Sequence, residues 1–219
     1  LYHYAHLPHI FKPQSRIDTN VVPGSEEKLD MLQYCVQTLT ERGYVFIGMD
    51  HFAKPDDELS IALKEGFLQR NFQGYSTYAD CDLVAIGVSS IGKIGSTYSQ
   101  NERDIDAYYA ALDAGHLPIM RGYQLNQDDI LRRNIIQDLM CRFSLDYQIY
   151  ESVFGIPFSR YFAAELEDMK QLETLGLVRL KSHSLTVTPK GRFLIRNIAM
   201  VFDYHLRHKE TKAKYSQTV

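Results

Sequence analysis

The feature that constrains this chain most is a helix that runs into a buried strand with no linker between them. Residues 26–42, EEKLDMLQYCVQTLTER, place Leu29, Leu32, Val36 and Leu39 on one face at helical spacing. Ser25 is the expected N-cap, Glu26 and Glu27 suit the positive end of the helix dipole, and Gly43 fits the position just past the helix end. The run YVFIGMD follows at once, rich in aromatic and β-branched residues, and is expected to be a buried strand over 43–50. A helix that abuts a buried strand is one step of a parallel α/β sheet. A second apolar stretch, residues 82–88 of DLVAIGVSSIGKIG, is expected to be another buried strand, with a Gly- and Ser-rich loop after it.

Between them, residues 55–66 are expected to be a helix starting at Pro55, and RNFQGYSTYADC (70–81) a loop or twisted edge strand. Residues 102–115 read as a helix closed by Gly115. From about Leu117 the pattern becomes helical. Residues 126–143 have Asn126 as cap, and residues 159–176 form a further helix. LVRLKSHSLTVT then reads as a small hairpin, and TPKGRFLIRNIAMVFDYHL as a final helix capped by Thr188. Helix, hairpin and helix in this order resemble a winged helix. The residues after it, HKETKAKYSQTV, are expected to be a frayed basic tail.

Composition narrows the function classes. Hydrophobic residues make up 45% of the 219 and charged residues 23%, the profile of a chain with a real core. The net charge of −3 offers no global attraction to nucleic acid or anionic lipid, and no run reaches the ~18 apolar residues that span a bilayer. Three scattered cysteines, Cys35, Cys81 and Cys141, lack any CxxC spacing, and suit reduced cytoplasmic thiols. His3, His6 and His9 stand three apart, but Pro8 makes the segment a poor helix, so no metal site is expected there. From Lys190 onward seven Lys or Arg face two acids, yet the 159–176 helix carries Glu165, Glu167, Asp168 and Glu173, which repel phosphate. No nucleic-acid role is expected.

Candidate chemistry clusters after the two expected strands. Asp50-His51 can act as an acid–base pair or simply as a cap and a packed ring. The glycine-rich 87–95 segment can approach a nucleotide closely or merely end a strand. In α/β barrels both places would lie at the functional end.

The residues themselves carry a resemblance over most of the chain. YAHLP (4–8), GYVFIGMDHFAKPDDEL (43–59), RNFQGYSTYADCDLVAIGVSSIG (70–92), LRRNIIQDLMCRF (131–143) and TPKGRFLIRNIAMVFD (188–203) together resemble the C-terminal half of the oxygen-independent coproporphyrinogen III oxidases, a radical S-adenosylmethionine (SAM) family. The resemblance implies an α/β fold. Residues 1–116 would be the C-terminal part of a radical-SAM (β/α) barrel, and 117–219 a helical, winged-helix-like domain with one hairpin.

It also implies the function. The family decarboxylates two propionates of coproporphyrinogen III to vinyl groups, giving protoporphyrinogen IX in haem synthesis. It uses two SAM molecules and a [4Fe-4S] cluster fed by an electron donor. Carried over residue by residue, Ala5 and Ile91 would contact SAM, as would Phe72 and Gln73, and Asp50 and His51 would line the pocket. Barrel geometry implies that these segments converge on one site. Arg70, Arg121, Arg132 and Arg133 are candidates to pair with substrate propionates. The family's CxxxCxxC cluster motif is absent, so the cluster ligands are not in this chain, and the sequence is expected to be an inactive fragment of a cytoplasmic, monomeric enzyme. Radical-SAM haem chaperones share the barrel but carry HNxxYW where this chain has RNFQGY. A winged-helix interaction module is the other alternative, and it leaves residues 1–120 without a role.

Overall fold

A computed structural model describes residues 4–78 and 81–208. His3 and most of the expected basic tail lie outside the described residues. Two short 3-10 turns, Lys12–Arg16 and Thr19–Val21, precede α1 (Ser25–Glu41). β1 (Val45–Gly48), β2 (His51–Ala53), α2 (Glu58–Glu65), β3 (Gln69–Arg70) and β4 (Tyr75–Ser76) follow. Then come β5 (Ile91–Ile94), β6 (Thr97–Asn101), α3 (Ile105–Asp113) and β7 (Ile119–Gln124). The remainder is α4 (Gln127–Arg142), β8 (Ser144–Asp146), α5 (Tyr147–Phe154), α6 (Phe158–Tyr161), α7 (Ala163–Thr174), β9 (Val178–Lys181), β10 (Ser184–Val187), α8 (Pro189–Phe193), α9 (Ile195–Met200) and α10 (Tyr204–Arg207).

The expected helix–strand junction is present. Leu32 of α1 is buried, Gly24 rather than Ser25 is the N-cap, and Gly43 adopts φ +84° as the helix stops. The parallel step is not present. β1 reverses through Met49 (φ +52°) and Asp50 and pairs antiparallel with β2, Val45 opposite Ala53. All strand pairs among the described residues are antiparallel. A two-residue turn can join only antiparallel strands, because a parallel return needs a long crossover.

Residues 82–88 are likewise not a strand. Leu83 makes a single bridge to Lys93, while Val84 and Ile86 are exposed. The strands instead come from the glycine-rich stretch: β5 pairs with β6, and β6 with β7. Gly92 is required there, since a Cβ would stand 2.9 Å from the Leu83 carbonyl oxygen and 3.2 Å from the Ala85 Cβ. The β5–β6–β7 sheet spans the expected domain boundary at 116/117. Pro55 does not open α2, which starts at Glu58 with Asp57 accepting from the Leu59 N–H.

Among the described residues, an apolar core cluster joins the β1–β4 segment to the C-terminal half of the chain. Ile47, Ala53, Ala62, Leu68 and Tyr75 pack with residues from α4 to beyond α9, including the fully buried Phe158, Phe162, Met169, Ile198 and Phe202. β8, β10 and β9 form the second three-stranded sheet in that spatial order. Arg192 fastens β1 to this C-terminal half. It stacks on Phe143 at 4.2 Å and its Nη2 donates to the Phe46 carbonyl at 2.8 Å. The expected hairpin at 178–187 and the cap at Thr188 are present. The helices expected over 159–176 and 188–206 are broken, the first at Phe162 and the second at Leu194 and again at Asp203, where the backbone leaves helical dihedrals.

α4 begins with a complete capping box: Asn126 accepts from the Asp129 N–H at 2.9 Å, and Asp129 accepts from the Asn126 N–H at 3.1 Å. Burial alone would raise the Asp129 pKa. The hydrogen bonds from the Asn126 N–H, His205 and Tyr123 outweigh it and hold the carboxyl below its ordinary range. Asn126→Ala is expected to cost about 1 kcal/mol, read as a lower denaturant midpoint at unchanged slope.

Candidate functional site

One large cavity of about 1030 Å³ opens between the β3–β4 hairpin, the start of β5, α4, α5 and the end of α9. That is at the upper end of the ~300–1,000 Å³ typical of ligand pockets, so it suits a large guest. Its apolar wall includes Phe72, Ile91, Ile136, Met140, Ile149 and Phe154. Its cations are Arg70, Lys93, Arg133 and Arg196; its acids are Asp82, Asp138 and Asp203.

The acids are already engaged. Asp82 accepts from the Gly95 N–H at 2.8 Å, Asp138 accepts from the Tyr150 hydroxyl at 2.6 Å, and Asp203 caps α10 through the Leu206 N–H at 3.0 Å. Burial and the Asp138 carboxylate together push the Tyr150 phenol well above its ordinary pKa, so it stays a proton donor. Burial pushes the Cys141 thiol up to about 12, which keeps it protonated and chemically inert near neutral pH.

Of the residues expected to contact SAM or to line its pocket, Phe72 and Ile91 border this cavity together. Ala5, Gln73, Asp50 and His51 do not line it. The Ala5 carbonyl accepts from Gln14 Nε2 at 3.1 Å, within the N-terminal segment. Gln73 is exposed at the tip of the β3–β4 hairpin, whose turn is held by Asn71 Oδ1 accepting from the Gln73 and Gly74 N–H groups.

Asp50 and His51 form a real pair, Oδ1 to Nδ1 at 2.7 Å, half-buried behind that hairpin. The pair is coupled to the cavity wall through packing. His51 meets the Tyr75 ring edge-on at 5.2 Å, and Arg70 lies over the same ring at 4.9 Å. Glycine is needed at position 74 because φ is +147° and a Cβ would sit 3.0 Å from His51 Nε2. The two motifs DHFA and RNFQGY are therefore partners in one packed unit.

Two positioning residues escaped the sequence reading. Gln100 and Asn101, both buried polar residues on β6, hold the glycine-rich loop from behind. Gln100 Nε2 donates to the Ser89 carbonyl at 3.0 Å, and Asn101 Nδ2 to those of Ala85 and Gly87 at 3.3 and 2.9 Å. Only their burial marks them, and burial of a polar residue is invisible in a pattern that scores it as surface. The four candidate arginines divide. Arg132 is paired with Asp128 and Glu165, each at 2.8 Å, and Arg121 donates twice to Gln100 Oε1. Arg70 and Arg133 face the cavity.

The cysteines present do not fit an iron–sulfur cluster. Cys35 is half-buried, Cys81 exposed and Cys141 buried, and no group of three or more His, Cys, Asp or Glu among the described residues is placed to hold a metal. The expectation for His3, His6 and His9 includes a residue outside the described ones; His6 Nδ1 lies 2.9 Å from the Tyr4 hydroxyl. No described helix is long and apolar enough to cross a membrane.

Comparison with known proteins gives a consistent result. Residues 125–194 match the family model of the HemN C-terminal domain. Oxygen-independent coproporphyrinogen III oxidase of Salmonella typhimurium is 45% identical over 219 residues, which is all of this chain and 48% of that protein. The Pseudomonas aeruginosa protein of the same name is 48% identical over 206 residues, 94% of this chain and 45% of the relative. A solved structure, described as coproporphyrinogen III oxidase (HemN) from Escherichia coli and as a radical SAM enzyme, superposes with a TM-score of 0.88 at 47% identity, over 93% of this chain and 47% of that one. The chain thus spans about half the length of the curated relatives it matches. In sequence and in fold, it is a relative of the oxygen-independent coproporphyrinogen III oxidases, corresponding to their C-terminal portion.

Proposed function

We propose that this chain supplies the C-terminal portion of an oxygen-independent coproporphyrinogen dehydrogenase, which converts two propionates of coproporphyrinogen III to vinyl groups. The observation that carries the reading is the cavity in which Phe72 and Ile91 meet: it is large, walled by apolar side chains and supplied with cations. A tetracarboxylate macrocycle needs both properties. The finer architecture belongs to the same proposal. β1 is paired on one edge only among the described residues, which leaves the other for a barrel neighbour. α4, α7 and the β9–β10 hairpin support a winged-helix-like reading of the remainder.

The three scattered cysteines and the described residues offer no cluster ligand set, so the ligands belong to another part of the whole enzyme. Ile91 and Phe72 fit one side of a SAM site, with apolar surface for the adenine; SAM, when bound, supplies the radical chemistry. The chain's own side chains orient the ligands and exclude water from them. Ala5 and Gln73 are proposed to complete the SAM contacts in the whole enzyme, and Asp50 and His51 to brace the wall through Tyr75. An electron donor, a monomeric state and a cytoplasmic location belong to the same reading. The chain alone is expected to gain no stoichiometric cluster on anaerobic reconstitution with iron and sulfide. Iron counting checks this.

The functional test uses the full-length enzyme. Ile91→Asp places a carboxylate against the adenine wall, where its desolvation is unfavourable, and is expected to weaken SAM binding at least about tenfold. Ala5→Trp is expected to cut vinyl formation. Cluster absorbance serves as the folding control. Wild-type SAM affinity and turnover in both variants would refute the assignment.

A further inference from the structure

We infer that Arg70 and Arg133 form a carboxylate clamp in the cavity, which takes up propionate side chains of the substrate; this rests on the function proposed above. Each of these arginines has a buried Nη1 with no hydrogen-bond partner among the described residues. A buried donor without a partner carries its full desolvation penalty, and both arginines border the cavity, so an acceptor that enters it relieves that penalty once the guanidinium turns toward it. The cavity's own carboxylates do not meet that need: Asp82, Asp138 and Asp203 accept from Gly95, Tyr150 and Leu206.

The two guanidinium groups are held in a common frame. Gln137 Nε2 donates to Gln69 Oε1 at 2.8 Å, which ties α4 to β3. Arg70 directly follows Gln69, and Arg133 lies one helical turn before Gln137 and so on the same face of α4. Tyr75 fixes the plane of Arg70 from beneath. A planar guanidinium with a fixed stem matches a carboxylate through two parallel N–H···O bonds, a fit that lysine does not reproduce. Lys93 and Arg196 on the same cavity add attraction without that geometry.

A carboxylate in this cavity can belong to a substrate propionate or to the amino-acid end of SAM, and the experiment separates them. In the reconstituted full-length enzyme, the affinities for coproporphyrin III, for its tetramethyl ester and for SAM are measured in wild type, Arg70→Gln and Arg133→Gln. Wild type is expected to prefer the free acid to the ester at least about tenfold. Each variant is expected to lose about tenfold on the acid while ester and SAM affinities hold, so the acid-over-ester preference shrinks. Arg→Lys at either position keeps the stem and the charge, and is expected to restore only part of the loss. It also serves as the test variant if a Gln variant fails to fold. An unchanged acid-over-ester preference, or a loss confined to SAM, overturns the clamp. If the wild type binds neither porphyrin and makes no vinyl product, the proposed function itself fails.

Discussion

Gly191→Ala is expected to destabilise the fold by about 3 kcal/mol or more, because the added methyl group has nowhere to go. Gly191 is buried in α8. A Cβ there would overlap the Leu177 carbonyl oxygen and stand 2.9 Å from both the Leu177 carbonyl carbon and Val187 Cγ1. Those atoms belong to backbone and to a β-branched side chain on β10, so none can swing away. Leu177 is also fixed by its contacts to Thr188, whose N–H and hydroxyl both donate to the same carbonyl. Chemical denaturation of the full-length enzyme would show the loss as a lowered midpoint for the unit containing α8. Stability within 1 kcal/mol of wild type would show that this junction yields.

Arg132→Ala is expected to be equally severe, at about 3–5 kcal/mol, because it leaves Glu165 as a buried charge without its partner. The Arg132 Nη1 donates to Glu165 at 2.8 Å and to the Phe202 carbonyl at 3.2 Å, and its guanidinium lies over the rings of Phe162 and Tyr204. Burial alone would lower its pKa; the hydrogen bonds it donates to Glu165 and Asp128 outweigh this and raise it. The pair joins α4 to α7 and to the segment before α10. Replacing both partners, Arg132→Met with Glu165→Met, is expected to recover most of the loss, since an apolar pair of similar volume incurs no charge-burial penalty. A double variant as unstable as the single one would locate the cost in packing rather than in the stranded charge.

Elements with strong local signals could be read from the sequence. Asn126 and Thr188 mark helix starts by their capping side chains, and Gly43 marks a helix end by its freedom to take positive φ; neither signal needs tertiary help. The 178–187 hairpin was legible because its alternation places Leu185 and Val187 inside. Residues 82–88 misled for the opposite reason. Their apolar run has no partner strand among the described residues, and the register was taken by β5 and β6, whose Thr97, Ser99 and Gln100 look like surface. α5 was missed because its eight residues, Tyr147–Phe154, are too few for periodicity to stand out.

The site was legible in part. Phe72 and Ile91 could be named from motif likeness and do border one cavity. The four arginines could not be ranked, because Arg132 and Arg133 are neighbours in sequence yet point to different surroundings on α4. Only the fold shows that one is bound to acids and that the other borders the cavity.

Product analysis decides whether this chain works in a coproporphyrinogen dehydrogenase: the full-length enzyme is reconstituted anaerobically and supplied with SAM, a low-potential reductant and coproporphyrinogen III. The expected product is a tetrapyrrole that has lost two carboxyl groups as carbon dioxide and gained two vinyls. Recovery of unaltered coproporphyrinogen from an enzyme with an intact cluster and bound SAM would contradict it.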